Sequence, residues 1–376
     1  MAKLEVAIAA GGTAGHVNPA LALAEELRAR GHNVRFYGQT RRLEGKLVPE
    51  AGFELVPIDV TGFDRSRPWT LFTALYHLAA EKRRLLKLME SKPEYTPDVA
   101  IGFGAYIELP LMQAAAKKHI PVVLHEQNSV PGLANKQSAK SADLIAIAQP
   151  AVKEIFDAKK GAHTQIEVIG NPVRQSVLCG DAAAGRKRLG IPEDAFVLLV
   201  FGGSLGAAHL NAAITSRAHE LLKNDSVHII HSTGEADYEK TLEAVKSFSA
   251  EEQARYHVRP YIDDMGDMLA GADACVSRAG ASSVAEISAL AVPAILVPYP
   301  HATADHQTTN ARFLVDSGAA VLVKDDQLDE KFFDEQLSRL INDESYRLGM
   351  KAASAGLAQD QAALRLADAL ERVASR

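Results

Sequence analysis

Short apolar runs alternate along the chain with longer segments in which apolar residues recur every three or four positions. In the first half the runs occupy 4–10, 33–37, 54–58, 98–102, 121–125 and 143–147. In the second half they occupy 197–201, 227–231, 256–261, 273–277, 293–297 and 319–323. The runs predict buried strands and the segments between them predict helices. Strands that alternate with helices form parallel sheets through right-handed crossovers, so we predict an α/β protein with doubly wound parallel sheets.

The two halves share one feature that divides the chain into domains. "LEVAIAAGGTAGH" and "FVLLVFGGSLGAAHLN" each read as an apolar strand, two glycines, a small polar residue and a helix. We predict a domain over 1–168 and a second over 169–356, with the boundary near "VIGNPVR". The amphipathic helix over about 357–376 is expected to pack back on the first domain. Ligands of such folds bind outside the carboxyl ends of the strands, so two domains facing each other would form a binding cleft.

Composition excludes several classes of protein. The chain of 376 residues is 47% apolar and 23% charged with a formal net charge of -6, which gives no general basic signal for nucleic acid. Cys179 and Cys275 have no metal-like spacing. The longest apolar stretch, near 287–298, is interrupted by two prolines and is too short to span a bilayer. We therefore expect membrane contact to be peripheral.

The first glycine-rich turn, "GGTAGHVNPALALAEEL" (11–27), fits neither a dinucleotide fingerprint nor a Walker loop. We predict that Asn18 caps the following helix and that Pro19 takes its first position. Amide groups at such a helix end attract negative charge or polar oxygens. His16 then lies just before the cap. It is either a locally packed or capping histidine, or a base that the positive helix end keeps neutral.

Three turns of the second half offer polar groups at helix starts: "GGSLGAAHLN", "SRAGASSVAE" and "PHATADHQTTNA". We expect Ser282 and Ser283 to cap a helix, and Glu286 to be a capping-box carboxylate or a ligand of two ribose hydroxyls. No D-x-D sequence is present, so a metal clamp of that type is not expected. A diphosphate would instead be neutralised by helix N-termini and by a cation such as Arg174.

Seven motifs together resemble the MurG family of glycosyltransferases. In order along the chain they are "GGTAGHVNPALALA", "GFGAYIELP", "HEQNSVPGLANK", "GNPVR", "GGSLGA", "SRAGASSVAE" and "DHQTTNA". The resemblance implies a GT-B fold of two Rossmann-like domains. It also implies inverting transfer of N-acetylglucosamine from UDP-N-acetylglucosamine (UDP-GlcNAc) to the 4-hydroxyl of N-acetylmuramic acid in lipid I, which forms lipid II for peptidoglycan. Leu205 replaces a usual glutamine of the family, and Ala14 and Ala105 replace usual glycines.

The same resemblance implies roles for individual residues. Catalytic candidates are His16 and, as a rival base, Glu126, which could instead be a structural carboxylate bonded to backbone. The implied acceptor-side residues are Tyr106, His125 and Asn135. The implied donor-binding residues are Thr13, Ala14, Gly15, Asn128, Arg174, Ser204, Ile262, Ala281, Ser282, Ser283, Val284, Ala285, Glu286 and Gln307.

A segment over 65–90 combines apolar and basic residues in a helical pattern. Trp69, Phe72 and Leu75, with Arg83 and Arg84, suit a helix lying on an anionic lipid surface. The alternative is a core helix with a solvated basic end. A lipid-linked acceptor implies a peripheral protein on the cytoplasmic face of the cell membrane.

The predicted partners are UDP-GlcNAc, lipid I and an anionic membrane surface, with other cell-wall synthesis enzymes as further candidates and no nucleic acid. We expect no cofactor and no essential metal. Two other classes stay open on the residues alone. One is a different GT-B enzyme, such as a lipid or natural-product glycosyltransferase or a UDP-GlcNAc epimerase, and the other is a non-catalytic nucleotide-binding module.

Overall fold

A computed structural model describes residues 2–62, 69–203, 207–357 and 360–376. The chain forms two compact units, one of Met1–Arg174 with Gln361–Arg376 and the other of Gln175–Asp360. The division falls after Arg174, whereas the sequence placed it after residue 168.

The first unit is built on a seven-stranded parallel sheet with the order β3-β2-β1-β4-β5-β6-β7. Its strands are β1 (Glu5–Ala9), β2 (Asn33–Gly38), β3 (Glu54–Pro57), β4 (Val99–Gly102), β5 (Val122–Glu126), β6 (Leu144–Ile147) and β7 (Gln165–Val168). The helices of the N-terminal segment are α1 (Ala14–Ala29), α2 (Glu44–Glu50), α3 (Thr70–Ser91), α4 (Leu109–Lys117), α5 (Leu133–Ser138) and α6 (Lys153–Asp157). Short 3-10 turns cover Pro93–Tyr95, Tyr106–Glu108, Ala139–Ser141 and Pro150–Val152.

The second unit is built on a six-stranded parallel sheet with the order β10-β9-β8-β11-β12-β13. Its strands are β8 (Phe196–Phe201), β9 (Val227–Ser232), β10 (Tyr256–Arg259), β11 (Ala274–Ser277), β12 (Ala294–Leu296) and β13 (Ala320–Leu322). Its helices are α7 (Gln175–Leu178), α8 (Ala182–Arg188), α9 (Ala208–Leu221), α10 (Glu235–Val245), α11 (Ala250–Arg255), α12 (Met265–Gly271), α13 (Ala281–Ala289), α14 (His306–Val315), α15 (Lys331–Asn342) and α16 (Glu344–Ala355). Short 3-10 turns cover Thr303–Asp305 and Asp325–Asp329.

Strand β1 shows why the predicted strands are apolar without interruption. Val6 and Ile8 belong to one buried cluster of the first unit, and Ala7 and Ala9 belong to another. Alternate side chains of a strand point to opposite faces, so helices cover both faces of this sheet.

The last helix, α17 (Ala362–Ala374), packs on α1 of the first unit and contributes Leu366, Leu370 and Val373 to its core. Polar groups fix the junction. His32 Nδ1 accepts the Leu4 amide at 3.2 Å, so its Nε2–H donates to Glu371 Oε1 at 2.8 Å.

The structure contains every strand predicted from the sequence, and β7 in addition. β7 lies at one edge of its sheet, and Gln165 and Val168 at its ends are exposed. An exposed, partly polar edge strand lacks the continuous apolar run by which the other strands were found. No helix in the described part of the chain is long and apolar enough to cross a membrane.

Candidate active site

Three central strands of the first unit end at the same edge of its sheet. β1, β4 and β5 are neighbours in the parallel sheet, so the segments that follow them meet there. These segments are the turn 10–13, the segment 103–108 and the segment 127–132. They carry or adjoin His16, Tyr106 and Glu126, which are far apart in sequence. The carboxyl ends of parallel strands are the usual ligand-binding edge of such sheets.

The first glycine-rich turn leads into α1 earlier than predicted. The helix begins at Ala14 with Thr13 as its extended N-cap, so the prediction that Asn18 is the cap and Pro19 the first residue is wrong. The carbonyl of Thr13 already accepts the amides of His16 and Val17, both at 3.1 Å. His16 therefore lies inside the first turn of the helix, next to the predicted donor-binding residues Ala14 and Gly15.

Pro19 is tolerated inside α1 because another residue uses the carbonyl that it leaves free. A proline lacks the amide that would donate to the residue four positions earlier, here Gly15. The Gln127 side chain donates from Nε2 to the Gly15 carbonyl at 3.3 Å and to the Phe103 carbonyl at 2.9 Å. Gln127 thus links the segments that follow β1, β4 and β5.

The His16 ring is half-exposed, and its Nδ1 lies 2.9 Å from Thr13 Oγ1. When Nδ1–H donates to the threonine hydroxyl, the lone pair of the ring is on Nε2. The leading amides of the first helical turn have no intrahelical acceptor, so this end of the helix carries partial positive charge beside the ring.

The Glu126 carboxylate is fully buried and holds the segment that follows it. Oε1 accepts the Asn128 amide at 3.0 Å and the Asn128 side chain at 3.4 Å. Oε2 accepts the Gly132 amide at 3.0 Å and Asn135 Nδ2 at 2.9 Å. Burial raises the pKa of Glu126, although these hydrogen bonds act in the opposite direction. All four contacts belong to local protein groups.

Two of the three predicted acceptor-side residues are buried. His125 Nε2 lies 3.0 Å from the Gly170 carbonyl, and burial lowers the pKa of His125 to about 4, so the ring is neutral. Asn135 donates to the His125 carbonyl at 3.0 Å in addition to Glu126. Tyr106 is exposed, with its hydroxyl 3.3 Å from the Val60 carbonyl. Tyr106 is therefore the member of this set that a ligand can touch without rearrangement.

Two further carboxylates of this edge escaped the sequence analysis, Glu44 and Glu108. Both are buried among predicted elements and both accept backbone amides, Glu44 from Gly12 and Gln39 and Glu108 from Gly104. Burial raises the pKa of Glu108 to about 8, and the Glu126 charge acts in the same direction. A glutamate inside the otherwise apolar run "AYIELPLM" was a usable signal for Glu108.

Arg174, the predicted diphosphate ligand, has a protein partner. Its Nη2 and Nε donate to Glu25 Oε1 at 2.9 and 3.2 Å. An incoming diphosphate would have to share or replace this carboxylate.

In the second unit, the turn after β11 leads into α13 with Gly280 as the N-cap, and no side chain caps the helix. The prediction that Ser282 and Ser283 are caps is therefore wrong, because both lie within the first turn. Val284 and Ala285 are buried, and Glu286 is half-buried one turn into the helix. The amides of Ala281 and its two successors are thus at a helix start, where a phosphate oxygen could accept them.

A polar network connects this turn to two other elements of the second unit. Buried Arg278 pairs with Asp325 at 2.5 Å, and Asp325 Oδ2 is 2.8 Å from His209 Nδ1. His209 Nε2 is 3.0 Å from Asp329. The bond to Asp325 raises the pKa of His209, which favours the charged ring. Sequence reasoning missed this network because its members lie on three separate elements.

Gln307 lies in the first turn of α14, after a strained loop. Ala304 and Asp305 adopt left-handed backbone angles, with φ of 54 and 51°. Gln307 Oε1 accepts the Tyr299 amide at 2.9 Å, which fixes the amide plane. Ile262 is buried between β10 and α12. Ser204 and Leu205, in the other predicted turn, lie outside the described residues.

The N-terminal and C-terminal halves of helix α3 differ in burial. Trp69, just before it, is 67% exposed, and Phe72 and Leu75 are 77 and 49% exposed, whereas Leu85 and Met89 are buried in the core. Arg83 is exposed, and Arg84 bonds Glu81 at 2.9 Å and the Pro57 carbonyl. Residues 65–68 of the predicted segment lie outside the described residues.

Within the described residues no group of three or more His, Cys, Asp or Glu side chains could hold a metal ion. The predicted independence from metal stays a prediction.

Both units match domains of one known protein family. Residues 6–147 match the glycosyltransferase family 28 N-terminal domain, and residues 197–371 match the family 28 C-terminal domain. The UDP-N-acetylglucosamine--N-acetylmuramyl-(pentapeptide) pyrophosphoryl-undecaprenol N-acetylglucosamine transferase of Halothermothrix orenii is 38% identical over 342 residues, 90% of this chain and 91% of that protein. The enzyme of that name from Bacillus subtilis is 35% identical over 373 residues, 98% of this chain and 99% of that protein. A crystal structure of Acinetobacter baumannii MurG superposes with a TM-score of 0.73 at 27% identity, covering 99% of this chain and 100% of that one.

The two parallel-sheet units and the matched domains define a UDP-sugar glycosyltransferase of the GT-B class. Within that class, the chain belongs to the MurG family of N-acetylglucosaminyltransferases. The fold class, the family, the enzyme class and the overall reaction predicted from the sequence are confirmed.

Proposed function

We propose that this chain transfers N-acetylglucosamine from UDP-GlcNAc to the 4-hydroxyl of N-acetylmuramic acid in lipid I, and that His16 is the general base. The observation that carries the choice of base is the contrast between two side chains. His16 is half-exposed in the first turn of α1 and oriented by Thr13, whereas both oxygens of buried Glu126 already accept local donors.

The reaction is a single displacement at the anomeric carbon. An electron pair of the acceptor 4-oxygen forms the new glycosidic bond while the bond to the UDP oxygen breaks and its pair leaves with UDP. The hydroxyl proton passes to His16 Nε2. As in glycoside hydrolysis, the transition state has oxocarbenium character, so charge develops on the leaving diphosphate. Configuration at the anomeric carbon is inverted.

Groups in both units are proposed to bind the donor. In the second unit the amides at the start of α13 receive phosphate oxygens, Glu286 accepts the ribose hydroxyls, and Gln307 binds the sugar. The backbone at Ile262 meets the uracil, and Ser204 is assigned to the diphosphate by family resemblance alone. In the first unit the corresponding groups are the first turn of α1 (Thr13, Ala14 and Gly15), Asn128 and Arg174.

The exposed half of α3 is proposed to attach the protein to anionic lipid at the cytoplasmic face of the cell membrane. A tryptophan, a phenylalanine and a leucine are exposed on one short segment. Contiguous exposed apolar side chains of this kind are typical of a membrane or protein interaction site. Aromatic and aliphatic side chains flanked by bases insert between lipid headgroups. Such attachment would bring the enzyme to an acceptor that carries a long isoprenoid.

The test is the release of UDP from UDP-GlcNAc by the purified chain, with and without lipid I. We expect release only with lipid I, together with a disaccharide product of inverted configuration. Exhaustive chelation should leave a substantial fraction of the rate, because helix ends rather than a metal neutralise the leaving group. Conversion of UDP-GlcNAc to its 2-epimer without lipid I would contradict the proposal, and a rate that chelation abolishes and Mg²⁺ restores would contradict the metal-free departure.

A further inference from the structure

Glu44, the first residue of α2, places a buried carboxylate between two strand ends of the first unit. Its Oε2 accepts the Gly12 amide at 3.0 Å, and its Oε1 accepts the Gln39 amide at 3.1 Å. Gly12 follows β1 and Gln39 follows β2, so one side chain joins the ends of two neighbouring strands.

The glycines around this carboxylate leave it the room that it occupies. A Cβ on Gly11 would lie 2.4 Å from Glu44 Oε1, and a Cβ on Gly38 would lie 2.9 Å from Glu44 Cγ. Gly12 has a φ of +88°, which favours glycine for conformational reasons. Gly11 and Gly38 therefore leave space for the Glu44 side chain. Gly12 allows the change of backbone direction that exposes its amide to Glu44.

The contact with Glu44 is one residue from the group that orients His16. Thr13 follows Gly12, and it touches His16 twice: its carbonyl accepts the His16 amide at 3.1 Å, and its Oγ1 lies 2.9 Å from His16 Nδ1. A shift of the Gly12 peptide would therefore move the threonine that fixes the imidazole.

We propose that Glu44 is a positioning residue for the transfer reaction: by holding the Gly12 amide it fixes Thr13, and through Thr13 the ring of His16. The inference rests on the proposed role of His16 as base. It adds a residue to which neither the motifs nor the comparisons assign a role. A carboxylate suits the task because it accepts two amides, whereas a glutamine would present an NH₂ group to one of them.

Glu44→Gln tests this inference through kinetics and a double-mutant cycle. We expect kcat to fall on the order of 10²-fold, since a misplaced catalytic group loses about that much. The KM for lipid I should stay close to that of the wild type, because the lost interaction acts in the transition state. The KM for UDP-GlcNAc should rise only a few-fold, because Thr13 is also proposed to bind the donor. In His16→Ala/Glu44→Gln, kcat should equal that of His16→Ala alone, because residues that act as one unit are not additive.

Gly11→Ala perturbs the same contact from the opposite side and guards against a folding artefact. It keeps the glutamate but pushes against its Oε1, so we expect the same loss of kcat, an unchanged KM for lipid I and the same few-fold rise in the KM for UDP-GlcNAc. Glu252→Gln is the matched control. Glu252 is also a buried carboxylate that accepts a backbone amide, from Ser249 at 2.8 Å, but it caps a helix of the second unit. The kcat of Glu252→Gln should equal that of the wild type.

The outcomes separate the two proposals. If His16→Ala loses kcat while Glu44→Gln and Gly11→Ala keep it, the inference about Glu44 is wrong and the role of His16 stands. Additive losses in the double mutant would show that Glu44 acts independently of His16 and would also overturn the inference. If His16→Ala keeps the wild-type kcat, both proposals fail.

Discussion

At the scale of single residues, three buried glutamates hold the segments at one edge of the first sheet. Glu44 binds the amide of the turn after β1, Glu108 that of the segment after β4, and Glu126 those of the segment after β5. Glu108 has the least compensation, because it accepts the Gly104 amide alone among the described residues and lies in the field of Glu126. With its pKa raised to about 8, it is protonated at neutral pH.

Glu108→Gln is expected to change how stability depends on pH. Between the usual pKa of a glutamate and about 8, folded Glu108 keeps a proton that the unfolded chain has released. The contribution of Glu108 to the stability of the wild type therefore falls as the pH rises through this range. Glutamine is neutral throughout, so its advantage over the wild type should grow by roughly 3 kcal/mol from pH 5 to pH 8.

Urea unfolding of both proteins at pH 5 and pH 8 measures this difference. His125 and other titrating groups are common to both proteins, so their contributions cancel. If the urea midpoints of the wild type and Glu108→Gln change equally between pH 5 and pH 8, Glu108 has the same pKa in the folded and unfolded states and the prediction is wrong.

Single residues also show where sequence reasoning reached the site and where it failed. His16 was found because a histidine in a glycine-rich turn between a strand and a helix is unusual. Its place in the helix was predicted wrongly, because Asn18 and Pro19 imitate a helix start. What decides the start is the Thr13 carbonyl, and what makes Pro19 acceptable is Gln127, more than 100 residues away in sequence.

At the scale of elements, α3 combines both alternatives that its sequence left open. Its second half is a core helix, with Leu85 and Met89 buried. Its first half carries Phe72 and Leu75 into solvent, beyond exposed Trp69. Helical periodicity cannot separate these halves, since both have apolar residues at similar spacing. Only the packing partners of each half distinguish them.

The membrane role of this first half predicts the behaviour of Trp69→Ser/Phe72→Ser. Because both side chains are mostly exposed, their loss should leave unfolding unchanged while it weakens binding to vesicles of anionic lipid. Arg83→Glu should weaken binding further by charge repulsion. Arg84 is avoided because it bonds Glu81 and the Pro57 carbonyl.

Sedimentation with phosphatidylglycerol vesicles measures this binding. Leu348→Ser is the matched control, since Leu348 is 57% exposed but lies on α16 of the second unit. Equal vesicle binding by the wild type and the Trp69→Ser/Phe72→Ser variant would remove the membrane role of α3.

At the scale of the whole molecule, the sequence predicted both sheets, since continuous apolar runs identify strands that are buried on both faces. The sequence also contains the seven motifs from which the family was predicted. It did not reveal the polar groups that brace those motifs, such as Glu44 and the Arg278–Asp325–His209 network. Those contacts join elements distant in sequence, so no local pattern records them.

The measurement that tests the account most directly is kcat and its pH profile for His16→Ala, with lipid I and UDP-GlcNAc. His163→Ala serves as control, because His163 is an exposed histidine of the same unit away from the three segments. We predict a fall in kcat of ~10²–10⁴-fold for His16→Ala, KM values changed only a few-fold, and loss of the acidic limb of the profile. A kcat within a few-fold of the wild type, with a raised acceptor KM, would contradict the account and make His16 a binding residue.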